Sequence, residues 1–381
     1  MPLAVLDWTA NHVRAWATHT DGVPPRQMRL EGDSNELPLV LFLERKHVRV
    51  GSIGLTHCRQ LPHQVCQGFL PLLGETRQWH YKRNRFTAEQ ALGLIAAQAR
   101  EKFTGTKKTL LTVPAYLSPA QCNLLRQLVQ DAGLKVLGLL RRSLTLSVAS
   151  HWEHPWLNHG ILVDVDDHAL CLTVLRPDPV AMHLVRQQSL PHLGLKHWRE
   201  RLLQAVGDLC IRQHRRDPRT IAEADQLLFD QSDRLLDSIS QGHEVSVNVQ
   251  VGHWVQQITL SAGQGVQECT VLAVQAAQAT LAGLTSTVRS AQAQATVYLT
   301  PQAARLPGLA AAVYAQSQSQ VPVVLLRSAA EEAALVFAER IEQGKMPPCD
   351  GQTQSVPLAH PTSDSLPATL PFPATYRQVT G

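Results

Sequence analysis

One stretch, residues 109–150, constrains the fold more than any other part of the chain. It begins with an apolar run rich in β-branched residues, 109–113, which is typical of a buried strand. Ser118–Gln121 (Ser-Pro-Ala-Gln) combines an N-cap serine, a first-turn proline and the glutamine of a capping box, so it predicts a helix start. Apolar residues at helical spacing follow, and Gly133 stands where a left-handed C-cap is needed before a second strand, 135–140. This order predicts a βαβ unit and an α/β fold class.

A similar pattern occurs twice along the chain. Strand hairpins that begin at Leu3 and at Ile161 each carry an aspartate at their first turn, Asp7 and Asp164. Each hairpin is followed by further strand and helix patterns. This repetition indicates an internal duplication, and two α/β lobes that face each other across a cleft are the expected packing. A chain of 381 residues that is 44% hydrophobic is long and apolar enough to form both.

Composition excludes some classes of partner. Lys and Arg number 35 against 31 Asp and Glu, and a net charge of +4 is small for this length, so no nucleic-acid partner is predicted. No apolar run is long enough to cross a bilayer, so no membrane insertion is predicted. Seven scattered cysteines without a Cys-x-x-Cys pair favour a reducing compartment, the cytoplasm.

Five segments carry a family resemblance. They are TVPAY at 112–116 with its following helix and strand, ILVDVDDHALCLTVL from Ile161, the two-helix, two-strand pattern at 201–260, Arg305-Leu306-Pro307, and Leu61–Gly74. Over about residues 3–343 the chain resembles the ATPase domain of the heat-shock protein 70 (DnaK-type) chaperones. The resemblance implies the actin-like fold: two duplicated ribonuclease-H-like lobes, four subdomains, and ATP with Mg²⁺ in the cleft. The family's peptide-binding domain has no counterpart here.

The resemblance also implies a domain organisation. Lobe I is expected at 1–158 with an insert subdomain at about 37–108, and lobe II at 159–345 with an insert subdomain at about 201–294. Residues 56–86, inside the first insert, have an irregular pattern. Residues 346–381 carry seven prolines with Ser, Thr and Gln, and this composition predicts a disordered tail. Its segment 366–373 is either a docking peptide for a protein partner or a plain disordered end.

The family's nucleotide residues transfer onto this chain only in part. The resemblance implies nucleotide binding by five residues: Asp7, Thr9, Asn11, Asp164 and Thr300. Asp7 and Asp164 are also the implied Mg²⁺ residues, or else they persist only as turn formers. The glycines of both phosphate loops are missing. In the second loop Asp166 and Asp167 replace them, and their carboxylates oppose a triphosphate.

The family's catalytic residues are replaced as well. Its Lys aligns with Leu70 and its Glu with Arg142. Phosphoryl transfer depends on positioning and electrostatic stabilisation, so the chain is expected to be a pseudo-ATPase that acts as a binding, scaffold or regulatory protein. One alternative is a divergent chaperone that still binds and slowly hydrolyses ATP, with Arg142 on a phosphate. A second alternative is an actin-like assembly or adaptor protein.

Other clusters allow two interpretations each. Asp164, Asp166 and Asp167 form either a hard-cation site or a solvated turn, and the turn is favoured because no further ligand can be placed. The loop His151–His159 is either a zinc site or, as the spacing favours, a contact loop. The basic run Arg212–Arg219 is either a nucleic-acid site or a solvated helix end, and the second is favoured because no aromatic residues interleave.

Overall fold

The structure is a computed structural model, and it is mixed α/β, as predicted. It describes residues 3–18, 25–103, 108–153, 155–156, 158–287, 295–318, 320–327 and 330–358. We refer to residues 3–158 as the first half and to residues 159–358 as the second half. The predicted disorder of residues 359–381, with the docking segment 366–373, lies outside the described residues.

The strands of the first half, in chain order, are β1 (Leu3–Trp8), β2 (His12–Ala17), β3 (Arg26–Gln27), β4 (Glu36–Pro38), β5 (Val40–Leu43), β6 (Val48–Val50), β7 (Val65–Gln67), β8 (Gln78–Tyr81), β9 (Asn84–Thr87), β10 (Lys108–Val113) and β11 (Lys135–Arg141). Those of the second half are β12 (Gly160–Val165), β13 (Leu170–Pro177), β14 (Ala181–Leu190), β15 (Val245–Val251), β16 (Trp254–Leu260), β17 (Thr296–Leu299), β18 (Val323–Leu325) and β19 (Ser355–Pro357).

The helices of the first half are α1 (Ser52–Leu55), α2 (Ala88–Glu101), α3 (Pro119–Asp131) and α4 (Arg142–Glu153). Those of the second half are α5 (Leu195–His214), α6 (Ala222–Asp230), α7 (Ser232–Ser240), α8 (Ala262–Thr287), α9 (Pro301–Ala304), α10 (Leu309–Gln316) and α11 (Ala330–Glu342). Among the described residues, no helix combines the length and the apolarity that a membrane span requires.

Two sheets organise the molecule, and they have the same strand order. The first runs β11-β10-β1-β2-β3, with β4 also paired to β2, and the second runs β18-β17-β12-β13-β14-β19. In the first sheet β1 is antiparallel to β2 and parallel to β10; in the second, β12 is antiparallel to β13 and parallel to β17. The repeat predicted from the two Asp-bearing hairpins is therefore present in the topology.

The βαβ unit forms as its local sequence predicts. In α3 the Ser118 side chain accepts a hydrogen bond from the Gln121 backbone, and the Gln121 side chain accepts one from the Ser118 backbone, which completes the capping box. Gly133 has a φ of 90°, the left-handed conformation expected after the helix. The parallel strands β10 and β11 that flank the helix bring the ends of both strands to one edge of the first sheet.

The insert of the first half is more regular than its sequence pattern suggests. Strands β5, β6 and β7 form a three-stranded sheet, and β8 and β9 form a hairpin inside the stretch predicted to be irregular. In this hairpin Trp79 pairs with Phe86, and both pack against the core of the first half. Each strand has only four residues, so the alternation of its apolar and polar residues is too short to stand out in the sequence.

The tail prediction is wrong for residues 346–358. The Cys349 carbonyl accepts a hydrogen bond from Leu139 at 2.8 Å, so the segment adds to the edge strand β11 of the first sheet. It then crosses to the second sheet, where β19 pairs antiparallel with the edge strand β14. Composition does not reveal this order, because the order depends on unpaired backbone groups of two edge strands and on the burial of side chains such as Val356 and Leu358 in a cluster with distant residues.

Apolar packing also joins the two halves. One buried cluster combines Leu3, Val5 and Val148 of the first half with Leu162 and Phe337 of the second. Helices α4 and α11 lie at its centre. The edge of the first sheet where β1 and β11 end is therefore held close to the second sheet, and the candidate site lies at that junction.

Candidate functional site

The site is built on two matching turns. Hairpin β1–β2 is closed by residues 9–12 and hairpin β12–β13 by residues 166–169. In the first turn the Thr9 N–H donates to the His12 carbonyl at 3.0 Å; in the second the Asp166 N–H donates to the Ala169 carbonyl at 3.1 Å. The turns are thus equivalent residue by residue, and each follows a strand that carries an aspartate two positions earlier.

Those two aspartates share one arginine. Arg142 follows β11 directly at the start of α4, and its Nε donates to Asp7 Oδ2 at 3.1 Å while its Nη1 donates to Asp164 Oδ2. Asp7 is fully buried and Arg142 is 7% exposed. Burial lowers the pKa of Arg142, but the negative charges of Asp164 and Asp7 together raise it by more than burial lowers it. The pKa therefore lies above its usual value, and the guanidinium stays charged.

The remaining oxygens of the two aspartates are also satisfied. Asp7 Oδ1 accepts a hydrogen bond from the Thr112 hydroxyl at 2.5 Å, and Asp164 Oδ1 accepts one from the Thr300 hydroxyl at 2.8 Å. Thr112 pairs directly with Asp7 across β1 and β10. Each carboxylate therefore has one arginine contact and one hydroxyl donor, and each oxygen has a partner.

A second link crosses from turn to turn. Asp166 Oδ1 accepts the N–H groups of His168 at 2.9 Å and Ala169 at 3.0 Å within its own turn. Its Oδ2 accepts the Ala10 N–H of the first turn at 2.9 Å and the Tyr116 hydroxyl at 2.7 Å. Burial raises the pKa of Asp166 to about 6 despite these donors.

Little space remains between these groups. A cavity of about 10 Å³ is bounded by residues that include Thr9, Arg142, Asp164 and Asp166, and this volume is about that of a single water molecule. A second cavity of about 150 Å³ opens beside Asn11 between the two halves. Small-molecule sites have volumes of roughly 300–1,000 Å³, so the second cavity is also small.

The charges around the larger cavity pair with one another. Arg14 donates to Glu36 at 2.8 Å through its Nε. Arg199 donates to Asp233 at 3.1 Å, and Arg305 reaches the same carboxylate at 2.9 Å. The arginines that line this space therefore already have carboxylate partners within the chain.

The residues expected to bind nucleotide are brought together, but their polar groups already contact other groups of the chain. The Thr9 hydroxyl donates to the His12 carbonyl at 2.9 Å, and it lies 3.1 Å from the Asn11 side-chain oxygen. Thr300 caps α9 by accepting the Ala303 N–H while it donates to Asp164. Leu70 lies elsewhere, fully buried in the core of the first half.

The candidate metal clusters do not assemble. Among the described residues, no group of three or more His, Cys, Asp or Glu side chains could hold a metal ion. Asp164, Asp166 and Asp167 turn to different partners, with Asp167 accepting from Arg199 at 2.6 Å. In the loop His151–His159, the Trp156 ring stacks on Tyr298 at a centroid distance of 4.5 Å, and His154 lies outside the described residues.

Three further residues belong to the site and were not identified as such from the sequence. Thr112 and Tyr116 lie in the TVPAY segment, and their hydroxyl groups are the one feature of the sequence that could have indicated a role as hydrogen-bond donors in the site. Glu331 of α11 had no signal: it is 2% exposed, and its Oε2 has no hydrogen-bond partner in the structure. Burial, and then Asp7, raise the pKa of Glu331 to about 7, so a large neutral fraction is present near neutral pH.

Comparisons of the sequence with protein-family models and with curated proteins gave no match. The distinctive geometry between the two turns consists of a buried arginine between two aspartates and of a carboxylate that accepts a backbone N–H of the opposite turn.

Proposed function

We propose that the chain is a pseudo-ATPase of the actin-like, heat-shock-protein-70-like type: a two-lobed binding or scaffold protein in the cytoplasm, without ATP hydrolysis. The observation that carries the proposal is the position of Arg142 between Asp7 and Asp164. These are the two carboxylates that the family resemblance assigns to Mg²⁺. In this chain the positive charge between the two carboxylates is the guanidinium group of Arg142 and not a metal ion.

Electrostatics opposes a metal ion at this position. Two unit charges of the same sign about 4 Å apart repel by about 4 kcal/mol near a protein surface, and Mg²⁺ carries two charges. Displacing the arginine instead would break a buried ion pair, which costs about 3–5 kcal/mol. Asp7 and Asp164 therefore do not fit a Mg²⁺ ion while Arg142 is in place.

The phosphate position is filled in a similar way. Backbone N–H groups of a turn bind anions, and the Ala10 N–H has a carboxylate oxygen of Asp166 at 2.9 Å. A phosphate in the same place would meet that carboxylate at close range. Leu70 brings no charge to the site because it is in the core. The cations and donors that stabilise a transferring phosphoryl group are therefore missing or engaged.

The scaffold role follows from how the halves are joined. The Arg142 bridge, the Asp166 link and the segment 346–358 all connect them without a ligand. A further connection is Gln226 of α6, whose amide donates to the Leu55 carbonyl at 2.8 Å. A molecule with these connections presents one fixed surface, which suits binding to a protein partner.

Calorimetry and thermal unfolding test the proposal directly. Because a ligand that binds only the folded state raises the melting temperature, millimolar ATP with Mg²⁺ is expected to leave it unchanged. Titration calorimetry is expected to give no heat of binding. Micromolar affinity together with phosphate release would contradict the proposal and support the divergent ATPase. Filaments in sedimentation would support the assembly alternative.

A gain-of-binding variant sharpens this test. The double variant Arg142→Glu with Asp166→Gly restores the family's residue types at these two positions. It removes the arginine between Asp7 and Asp164 and the carboxylate on the Ala10 N–H. This double variant is expected to gain Mg²⁺-dependent heat with ATP, whereas the surface variant Arg212→Glu serves as a matched charge reversal and is expected to show none. Equal heat in both variants would point to a nonspecific charge effect.

A further inference from the structure

The small net charge of the whole chain conceals a strong regional imbalance. Residues 37–108 contain 12 Lys and Arg against 4 Asp and Glu, whereas the rest of the chain contains 23 against 27. The prediction of no nucleic-acid partner rests on the sum, in which the −4 of the rest of the chain offsets half of the +8 of this region. Charge asymmetry between parts of a chain is itself a sign of binding to a charged partner.

The fold concentrates this excess at one end of the first insert. The turn between β5 and β6, residues 44–47, lies beside the turn of the β8–β9 hairpin. The Asn84 side chain ties them by donating to the Glu44 carbonyl at 3.2 Å. We call the cations around these two turns the basic tip, and all six are exposed: Arg45, Lys46, Arg49, Lys82, Arg83 and Arg85.

The basic tip is poor in compensating charge. Arg49 lies 3.6 Å from Glu44, and no described carboxylate pairs with Arg45, Lys46, Arg83 or Arg85. The arginines between the two halves differ from those of the basic tip, because each of them has a carboxylate partner. Like charges this close repel one another, and the repulsion is relieved when a polyanion binds.

Aromatic rings next to the tip support two of the neighbouring cations. Lys82 Nζ lies 5.0 Å from the centre of the Tyr81 ring, and the Arg77 guanidinium lies 5.3 Å from the centre of the Trp79 ring. Cation–π contacts of this length fix a long side chain without neutralising its charge. One cation of the tip, Lys82, and one cation beside it, Arg77, are therefore held in place.

We propose that the basic tip binds the phosphodiester backbone of a nucleic acid. Four of its six cations are arginines, whose planar guanidinium groups match phosphate oxygens in pairs. A protein interface or a membrane insertion would need apolar anchors. In the described part of the first insert, the one exposed large apolar side chain is Leu94 on α2, outside the two turns. The binding is independent of the proposed loss of ATPase function.

Fluorescence anisotropy of the full chain with a labelled 20-nucleotide strand tests the proposal. Single-stranded DNA, single-stranded RNA and duplex DNA are compared at about 50 to 200 mM salt. Binding is expected to weaken with salt, with a slope of log K against log salt of about −3 to −4 for four to six phosphate contacts on a single strand. The preferred strand type identifies the nucleic acid.

A triple variant localises the contact. Arg45→Gln, Lys46→Gln and Arg83→Gln together are expected to weaken binding at least tenfold and to reduce the slope by about 2, since each lost phosphate contact accounts for about 0.7. The matched control removes three exposed charges from the second half: Arg201→Gln, Arg212→Gln and Arg215→Gln. It is expected to bind as the wild type does, and both proteins are expected to keep the wild-type melting temperature.

Several results would overturn the proposal. One is the absence of binding at 50 mM salt. Another is an equal loss in both triple variants, which would assign the binding to net charge alone. Equal affinity for polyglutamate would mean that phosphate is not recognised. Binding to vesicles of phosphatidylcholine and phosphatidylserine in preference to the oligonucleotides would assign the tip to a membrane surface.

Discussion

The two turns at the centre of the molecule have the same backbone geometry and opposite roles. Thr9 and Asp166 occupy equivalent positions, and each supplies an oxygen to its own turn: Thr9 Oγ1 accepts the His12 N–H at 3.2 Å, and Asp166 Oδ1 accepts the Ala169 N–H at 3.0 Å. A hydroxyl has one oxygen, and the turn uses it. A carboxylate has two, and the second one reaches the Ala10 N–H of the other turn.

This difference shows how side chains of a repeated fold can occupy the position between its two turns where a ligand would bind. Two turns that both offered backbone N–H groups would bind a common anion between them. In this chain the second turn carries the carboxylate of Asp166, which accepts a backbone N–H of the first turn in place of an anion. Arg142 lies between Asp7 and Asp164, in the place of a metal cation. Four predictions test this difference, in order of decreasing effect.

The largest effect is expected for Arg142→Ala. This substitution leaves Asp7 and Asp164, the equivalent aspartates before the two turns, without their shared cation. An uncompensated buried charge costs about 3–5 kcal/mol, and the free energy of unfolding in urea is expected to fall by this amount. Arg141→Ala is the matched control, since Arg141 donates to the Ala115 carbonyl at 2.6 Å and its loss is expected to cost about 1 kcal/mol.

The same variant shows whether the arginine acts as a cation substitute. Millimolar Mg²⁺ is expected to recover part of the lost stability in Arg142→Ala, because the ion binds the folded state at the vacated position. The wild type is expected to show no such gain. A loss below 1 kcal/mol, or equal gains in both proteins, would contradict the bridge.

The next effect is a pair of opposite pH dependences, one from each turn. Burial lowers the pKa of His12 from 6.5 to about 4, so the stability that His12 contributes is present above pH 6.5 and is lost as the pH falls toward 4. Burial raises the pKa of Asp166 from 3.8 to about 6, so its contribution is present below pH 3.8 and is lost as the pH rises through 6. Each contribution changes by about 3 kcal/mol over its range.

Single variants separate the two dependences. Between pH 4.5 and 6, His12→Gln is expected to shift the slope of unfolding free energy against pH by about −1.4 kcal/mol per pH unit, and Asp166→Asn by about the same amount in the positive direction. Urea unfolding at four pH values measures both slopes. Slope changes of the same sign in the two variants would show that the two turns do not have opposite pH dependences.

The parts of the molecule that the sequence predicts correctly are those set by near neighbours. The capping box of α3 joins residues three positions apart, and the strand and helix order follows from apolar periodicity. The key bonds of the site are different: Ala10 and Asp166 are 156 positions apart, and Arg142 and Asp7 are 135 apart. Their pairing depends on how the halves pack, for which residue spacing has no signal.

The resemblance predicts residues that lie around the two turns, but it does not predict the contacts that these residues make. The sequence predicts that Asp166 repels a phosphate, and in the structure its carboxylate accepts a backbone N–H of the other turn. One alternative places Arg142 on a phosphate, whereas in the structure two carboxylates bind its guanidinium group. Both residues were singled out because they replace the family's residue types, whereas Glu331 was missed because burial alone makes it unusual.

A moderate effect is expected for Asp166→Thr, which gives the second turn the residue of the first. The threonine hydroxyl can serve its own turn, but the Ala10 N–H and the Tyr116 hydroxyl lose their acceptor. Leaving buried donors unpaired costs about 1–3 kcal/mol, and urea unfolding at pH 4.5, below the raised pKa of Asp166, is expected to show a loss in this range. The variant Asp166→Asn also keeps only one acceptor oxygen and places an NH2 donor beside the Ala10 N–H, so it is expected to lose a similar amount. Losses well below about 1 kcal/mol in both variants would show that the second oxygen contributes nothing.

The smallest effect is expected for Thr9→Ala in the first turn. The hydroxyl it removes serves that turn alone, and a single intramolecular hydrogen bond contributes about 0.5–1.5 kcal/mol, so the free energy of unfolding is expected to fall by about 1 kcal/mol. Thr9→Ser keeps the hydroxyl and is expected to be nearly neutral. If Thr9→Ala instead cost as much as Asp166→Thr, the first turn would contribute to the link between the halves through its side chain. The difference between the two turns would then lie in their surroundings and not in the number of oxygens that each turn residue carries.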